Sequence, residues 1–421
     1  EEKGPRTFQE RFDYIDHSNQ GSVPARMAEF FERRPKEKPY FLWVNFSDPH
    51  HPWDTGEQPP DPKAVTVPGH LPDLPGIRGD LSRYMGEVEH ADKDFQTVLD
   101  IVKERAGLEN TLVFFMGDNG MAFPGGKGSL HDPGLNVPLL AWWPGVIKPG
   151  GDSSVLLSGE DIAPTCLEAA GLRVPARISG VSFLPVLRAE AFPAERAHIF
   201  GERGPHGGAT FNENTTASSV DYSRCARSAR YKLIYNVTPN LRYTPVDSSG
   251  DPGWREMTEA HERGALAAEF VTRYFTSPRP IYELYDLERD PNELVNLYGS
   301  TDLAGVEREL KEALQRKMIL DFDYLPLPIP SDPKRGRAKK ADSSATDPVR
   351  EALFGKLDLI RDGRLDRAEF ATKRQPEEAA AWFAARDADQ DGWVSLAEFT
   401  RASVPNAPNL KKSAGQGPAD R

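Results

Sequence analysis

The stretch Thr111–Gly134 reads TLVFFMGDNGMAFPGGKGSLHDPG, and the fold is decided by how it is understood. Thr111 to Met116 are apolar or β-branched, and so short a run fits a buried strand. Gly117-Asp118-Asn119-Gly120 then suits a sharp turn. Asn-Gly after an apolar run is also how a plain hairpin turn is written. In an open α/β sheet, ligands gather just beyond the carboxyl ends of strands. There Asp118 and Asn119 offer a carboxylate and an amide oxygen, the donors a hard divalent cation takes. Lys127, after a Gly-Gly pair, brings a movable ammonium to the same rim. Cation and ammonium at one strand end make a place for an oxyanion.

Further along the same stretch stand Lys127-Gly128-Ser129-Leu130-His131, Gly134 and Val137-Pro138-Leu139. Together with Gly117 to Gly120 they resemble the second metal-binding motif of the type I sulfatases, in the alkaline-phosphatase-like superfamily. The resemblance implies that Asp118 and Asn119 bind calcium and that Lys127 contacts the sulfate group.

The whole chain sets bounds on this reading. Its 421 residues allow two or three domains, each with its own core. A net charge of −12 argues against a general nucleic-acid binder, and any field attracting a polyanionic sugar has to be local. No apolar run approaches the ~18 residues of a membrane span. Cys166 and Cys225 allow at most one disulfide. The chain starts at Glu1 with neither signal peptide nor initiator Met, so the expectation is a processed or truncated product.

In chain order, Val23 to Arg34 has helical spacing, and Tyr40 to Phe46 is expected to be a buried strand. It runs into Ser47-Asp48-Pro49-His50-His51-Pro52-Trp53, where two prolines prevent helix. On pattern alone this is a rigid loop with solvent-facing imidazoles. It also resembles the sulfatase pattern F-x-D-P-H-x-P, which implies that His50, rather than His51, contacts the ester and protonates the leaving atom. Leu81 to Lys103 and Asp161 to Ala170 read as helices, the second within a sulfatase-like D-I-x-P-T phrase. Strands are expected at His198 to Arg203, over two pieces of Cys225 to Asn236, and at Glu283 to Leu287. Arg227 to Ile234 and Tyr285 to Leu297 resemble the signatures R-x-x-R-Y-K-L-I and Y-D-L-x-x-D-P-x-E-x-x-N-L. Phe123-Pro124 and Glu202 to His206 look most like the sulfamidases (N-sulfoglucosamine sulfohydrolases). His206 faces either substrate or solvent.

The chain departs from the family in one respect. Neither the Asp-Asp metal motif nor the C-x-P/A-x-R motif, whose Cys becomes formylglycine, occurs in these residues. Cys225 to Arg230 only superficially approaches the latter, so Cys225 is rejected as nucleophile. Formylglycine is expected in a missing N-terminal segment, and this chain is expected to be inactive by itself.

Residues 331–348 read as a linker. Beyond it, Asp387, Asp389, Asp391, Trp393, Ser395 and Glu398 fill the twelve-residue EF-hand calcium template, with the turn glycine at Gly392. Asp358, Asp362, Arg364, Asp366 and Glu369 form a similar loop around Gly363, with Ile360 in place of an oxygen ligand. Phe354, Phe370, Phe383 and Phe399 are its expected core.

The expected fold class is therefore α/β, an alkaline-phosphatase-like mixed sheet flanked by helices and incomplete at the N-terminus. A smaller antiparallel sheet subdomain and an α-helical EF-hand pair follow. The expected divisions are 1–194, 195–330, the linker, 349–403 and a disordered tail 404–421. The expected function is calcium-dependent hydrolysis of an O- or N-sulfated carbohydrate, in the periplasm or outside the cell. The alternatives are a phosphatase or phosphonate hydrolase of the same superfamily, or a non-catalytic calcium- or glycan-binding remnant.

Overall fold

The protein is described here from a computed structural model covering residues 12–15, 23–190, 196–206, 215–323, 354–358, 362–371, 379–380, 383–384, 386–387 and 389–400. The linker, the tail, Ile360 and the side chain of Phe370 fall outside this description. The chain divides into two compact units, Glu1–Ser331 and Asp332–Arg421, so 1–194 and 195–330 are parts of one unit.

In the first unit, helix α1 (Val23–Arg33) buries Met27 and Phe31, four residues apart and so on one face. They pack against Val98 and Val102 of α2 (Pro75–Arg105), a 31-residue helix with proline in its first turn. Strand β1 (Val113–Met116) leads to the short helix α3 (Asp132–Leu135) and to β2 (Leu139–Trp142). β1 and β2 form a two-stranded antiparallel ladder, Val113 opposite Trp142 and Met116 opposite Leu139. Sheets and flanking helices are both present as expected for an α/β fold, but the strand pairings among the described residues are antiparallel rather than mixed. β1 is also half-buried rather than buried, with Met116 exposed.

Tyr40 to Phe46 is a second correction. Its residues alternate, with Tyr40, Leu42, Val44 and Phe46 against the α1–α2 cluster and Phe41 and Trp43 63% and 71% exposed. The period of two is a strand's, yet among the described residues no neighbour forms a ladder with it. Alternation alone makes a half-buried ribbon; a strand needs a hydrogen-bonding partner.

Past α4 (Ile162–Ala169) and α5 (Leu184–Leu187), four strands make an antiparallel sheet in chain order: β3 (Ile199–Arg203), β4 (Ser223–Arg227), β5 (Tyr231–Asn236) and β6 (Tyr282–Asp286). One face, through Ala226, Leu233 and Leu284, packs on Leu310 and Leu314 of α8 (Ala304–Leu320). The other, through Cys225, Ile234 and Tyr285, packs on Leu130. The glycine-rich segment is thereby seated on the sheet. Two helices not anticipated from sequence, α6 (Pro252–Glu262) and α7 (Ala268–Phe275), contribute Trp254, Met257 and Tyr274 to the core under that segment.

The R-Y-K and D-P-x-E signatures meet in the interior. Lys232, fully buried, contacts Asp132 and lies 2.9 Å from Glu293, itself fully buried. Arg230 forks onto Asp286 at 3.0 and 2.7 Å. These signature residues hold the sheet to the loops.

In the second unit, Arg364–Leu365 and Val394–Ser395 pair as a two-residue antiparallel bridge between the two acidic loops. Phe354, Leu357, Leu365, Phe383, Val394 and Phe399 form its core.

Candidate active site

Two loops come together at the site because an aromatic pair joins them. Trp53 stacks on Phe123 with ring centres 4.7 Å apart and planes 16° from parallel. The indole N–H of Trp53 donates to the Pro49 carbonyl at 3.3 Å, folding the His50 loop back on itself. Asp48, buried, accepts from His90 at 2.5 Å and from Thr55 at 3.1 Å. Thr55 also donates to Glu87 of α2 at 2.8 Å. The Asp of the D-P-H phrase is therefore an anchor for the loop.

The Lys127 loop is shaped by backbone hydrogen bonds: Gly126 N–H to Phe123 O at 2.9 Å and Lys127 N–H to Met121 O at 2.8 Å. Gly128 has φ +74°, and a Cβ there would lie 1.9 Å from an Arg203 nitrogen. Only glycine fits both the backbone angle and that approach.

Lys127 Nζ lies 3.2 Å from His50 Nε2 and 2.6 Å from Asp247 Oδ2, partners 77 and 120 residues away. His206 Nε2 is 3.7 Å from the other oxygen of Asp247. Thus His50, Lys127 and His206 gather around one carboxylate that sequence reasoning missed. Val-Asp-Ser-Ser-Gly reads as an ordinary turn, and the only local oddity is structural: Asp247 has φ +64°. Burial raises the affinity of Asp247 for a proton. The hydrogen bond and charge of Lys127, helped by His206 and His50, outweigh this and hold its carboxyl below the usual range.

His50 Nδ1–H donates to the His51 carbonyl at 2.6 Å, which leaves Nε2 facing Lys127. His51 is structural: its Nε2 reaches Asp251 at 3.0 Å and so ties this loop to the segment after Asp247.

Asp118 and Asn119 stand exposed at the end of β1. Their described hydrogen bonds are local, Asn119 N–H to Asp118 Oδ1 at 2.8 Å and the Asn119 amide to Gly120 O at 2.7 Å. With its NH2 turned onto Gly120, the amide oxygen of Asn119 accepts none of the hydrogen bonds described. That donor pair fits a hard cation and supplies two oxygens of the 6–8 that calcium takes.

Cys225 is buried in β4, and burial pushes its thiol up to about 11. It cannot present a thiolate.

In the second unit, carboxylate oxygens of Asp387, Asp389 and Asp391 lie within 4.8 Å of one another. Asp387 Oδ1 is buried and has no hydrogen-bond partner among the described residues. Ser395 N–H and Oγ both donate to Glu398 Oε2, at 2.9 and 2.8 Å. Gly392 and Gly363 have φ +88° and +83°, the left-handed turn each loop needs. In the first loop Asp358 accepts from Gly363 N–H at 3.0 Å and Glu369 from Asp366 N–H at 3.2 Å. Asp362 there is taken by Arg364 at 3.2 Å, and the Arg364 guanidinium lies 4.1 Å from the Trp393 ring centre.

The sulfatase family model matches residues 15–172, and the N-sulphoglucosamine sulphohydrolase C-terminal model matches residues 126–270. Over that span the chain is similar to the sulfatase family, and its later part to the sulphoglucosamine sulphohydrolase C-terminal region. An ulvan-active sulfatase of Formosa agariphila is 31% identical over 264 residues, 62% of this chain and 48% of that protein. Human N-sulphoglucosamine sulphohydrolase is 27% identical over 358 residues, 74% of this chain and 68% of its own length. The chain thus spans about half of the first of these relatives. The solved structure of yidJ from Bacteroides fragilis shares the fold with a TM-score of 0.52 at 15% identity, covering 75% of this chain and 61% of that one.

Proposed function

We propose that this chain is the sulfate-binding and leaving-group side of a hydrolase acting on O- or N-sulfated carbohydrate. The observation that carries the reading is the contact of Lys127 with both His50 and Asp247 at 3.2 and 2.6 Å. Lys127, pinned by Asp247, presents its ammonium to the sulfuryl oxygens, where it balances charge that grows in the transition state. His50 carries a proton on Nε2 to the departing oxygen or nitrogen. Its Nδ1–H bond to the His51 carbonyl orients the ring so that Nε2 faces the site. His206, on the far oxygen of Asp247, lines the sugar side. Asp118 and Asn119 would hold calcium, which when bound withdraws charge from the sulfuryl group. A formylglycine of the kind the family uses would supply the covalent nucleophile, and turnover by these 421 residues on their own is expected to be low. The second acidic loop is read as a calcium site through Asp387, Asp389, Asp391, the Trp393 carbonyl, Ser395 and Glu398; the first is read as a weaker one. The setting is periplasmic or extracellular. No helix among the described residues is long and apolar enough to cross a membrane.

The test is equilibrium binding, which does not depend on the nucleophile. Glucosamine N-sulfate and N-acetylglucosamine 6-sulfate are titrated into the chain with calcium, beside the desulfated and phosphorylated sugars. Sulfate-dependent binding that is lost in Lys127→Ala is expected. Preference for the phosphorylated sugar moves the reading to the phosphatase branch, and equal affinity for the desulfated sugar removes it.

A further inference from the structure

Beneath the glycine segment lies a chamber of about 70 Å³. A water needs roughly 10–15 Å³ on this measure, so the space holds several waters or one small tetrahedral ion with water. Its wall carries Arg203, Arg273 and Arg279 against two carboxylates, Asp221 and Glu283. Both carboxylates are already engaged. Asp221 takes Arg279 at 2.7 and 3.1 Å. Glu283 accepts from Asn236 at 2.5 Å, Tyr285 at 2.5 Å and His131 at 3.2 Å.

Among the described residues Arg203 and Arg273 have no directly paired carboxylate; the charge of Asp221 acts on Arg203, and those of Glu293 and Glu283 on Arg273, without an ion-pair contact. Among the described residues their hydrogen bonds go to backbone carbonyls, Arg203 to Ala217 and Ser218 at 3.1 Å and Arg273 to Glu293. Arg203 is 8% exposed. Arg203 Nε, Arg273 Nε and Nη2, and Arg279 Nε are buried without a hydrogen-bond partner among the described residues. Burying a guanidinium with unmade hydrogen bonds is costly, and a planar fork of N–H groups matches an oxyanion. The loop rests on these two groups: a Cβ on Gly128 would lie 1.9 Å from Arg203 Nη1, and one on Gly125 would lie 3.1 Å from Arg273 Nη2.

We propose that this chamber binds a free tetrahedral oxyanion, sulfate or phosphate, on Arg203 and Arg273, and that the ion stiffens the loop presenting Lys127. Lys127, which carries the substrate's sulfate contact, also lines the chamber, so the two sites are told apart by which side chains the ion needs, and binding alone is read.

The test follows thermal unfolding of the full chain against sodium sulfate and phosphate, with chloride at matched ionic strength. A saturable rise in Tm with sulfate, kept in Lys127→Ala and weakened at least tenfold in apparent affinity in Arg203→Gln and Arg273→Gln, is expected. A chloride effect equal to that of sulfate overturns the proposal. So does a sulfate effect that vanishes in Lys127→Ala and survives in Arg203→Gln, because the ion is then at the outer rim. If the arginine variants fail to fold, selenate-soaked crystals of the unaltered chain decide. An anomalous peak between Arg203 and Arg273 supports the site, and its absence there removes it. Sulfated-sugar binding is measured separately, so either reading can fail alone.

Discussion

The Lys127 corner and the Asp387 loop both gather charge, but by opposite routes. In the loop, Asp387, Asp389, Asp391, Ser395 and Glu398 fall within twelve consecutive residues, and one positive-φ glycine turns them inward. At the corner, Lys127 meets partners 77 and 120 residues distant. That meeting rests on the Trp53–Phe123 stack, on a sheet face that seats Leu130, and on a turn holding Asp247 at φ +64°. A local constellation survives as long as its own turn does. A distributed one inherits the stability of everything between its parts.

The sharpest way to break the distributed arrangement is to disturb its support without touching it. Lys232→Met leaves the fully buried Glu293 without its paired cation, while Asp132 keeps Arg227 at 3.5 Å, and removing one partner of a buried pair costs about 3–5 kcal/mol. Urea unfolding followed by far-UV circular dichroism should show that loss; a change below ~1 kcal/mol means that Glu293 finds another cation. In the local arrangement the expected effect is ligand-dependent. Calcium at a hundred times its Kd should stabilise the second unit by ~2.7 kcal/mol. Glu398→Gln should abolish that gain and the associated calorimetric heat, whereas Asp362→Asn should change it little, because Asp362 is already paired with Arg364.

Acid probes the interior under the corner. Burial favours protonation of Glu283, but hydrogen bonds from His131, Tyr285 and Asn236 prevail and bring its carboxyl down to about 2, from 4.5. A depressed carboxylate contributes stability that is fully present above pH 4.5 and lost as pH falls toward 2. Urea midpoints should decline over that window in the unaltered chain and less steeply in Glu283→Gln; parallel slopes would place the acid sensitivity elsewhere. The smallest expected effect belongs to a contact written plainly in the helix sequence. Glu29→Gln removes an exposed i, i+4 partner of Arg33 and should cost about 0.3–0.5 kcal/mol in the same assay.

Legibility in the sequence followed this division. The glycines, Lys127 and the Asp118–Asn119 pair were readable because a turn is chosen by its own residues. His50 was singled out by resemblance, while the geometry adds that its neighbour His51 is held by Asp251. Asp247 carried no usable signal: one aspartate in a Ser-Ser-Gly turn looks like any solvent-facing carboxylate. Tyr40 to Phe46 misled because alternation reports which side chains point inward, not whether a neighbouring strand is present.

By itself, then, the sequence determined helices α1, α2 and α4, the four-stranded sheet, the glycine turns and the acidic loops, since each depends on the period and conformational preference of adjacent residues. Tertiary structure alone decided that Lys127 meets His50 and shares Asp247 with His206, and that Arg203 and Arg273 lie under the loop with no directly paired carboxylate among the described residues. Those juxtapositions come from side-chain packing across more than 70 residues of chain, and no local preference encodes them.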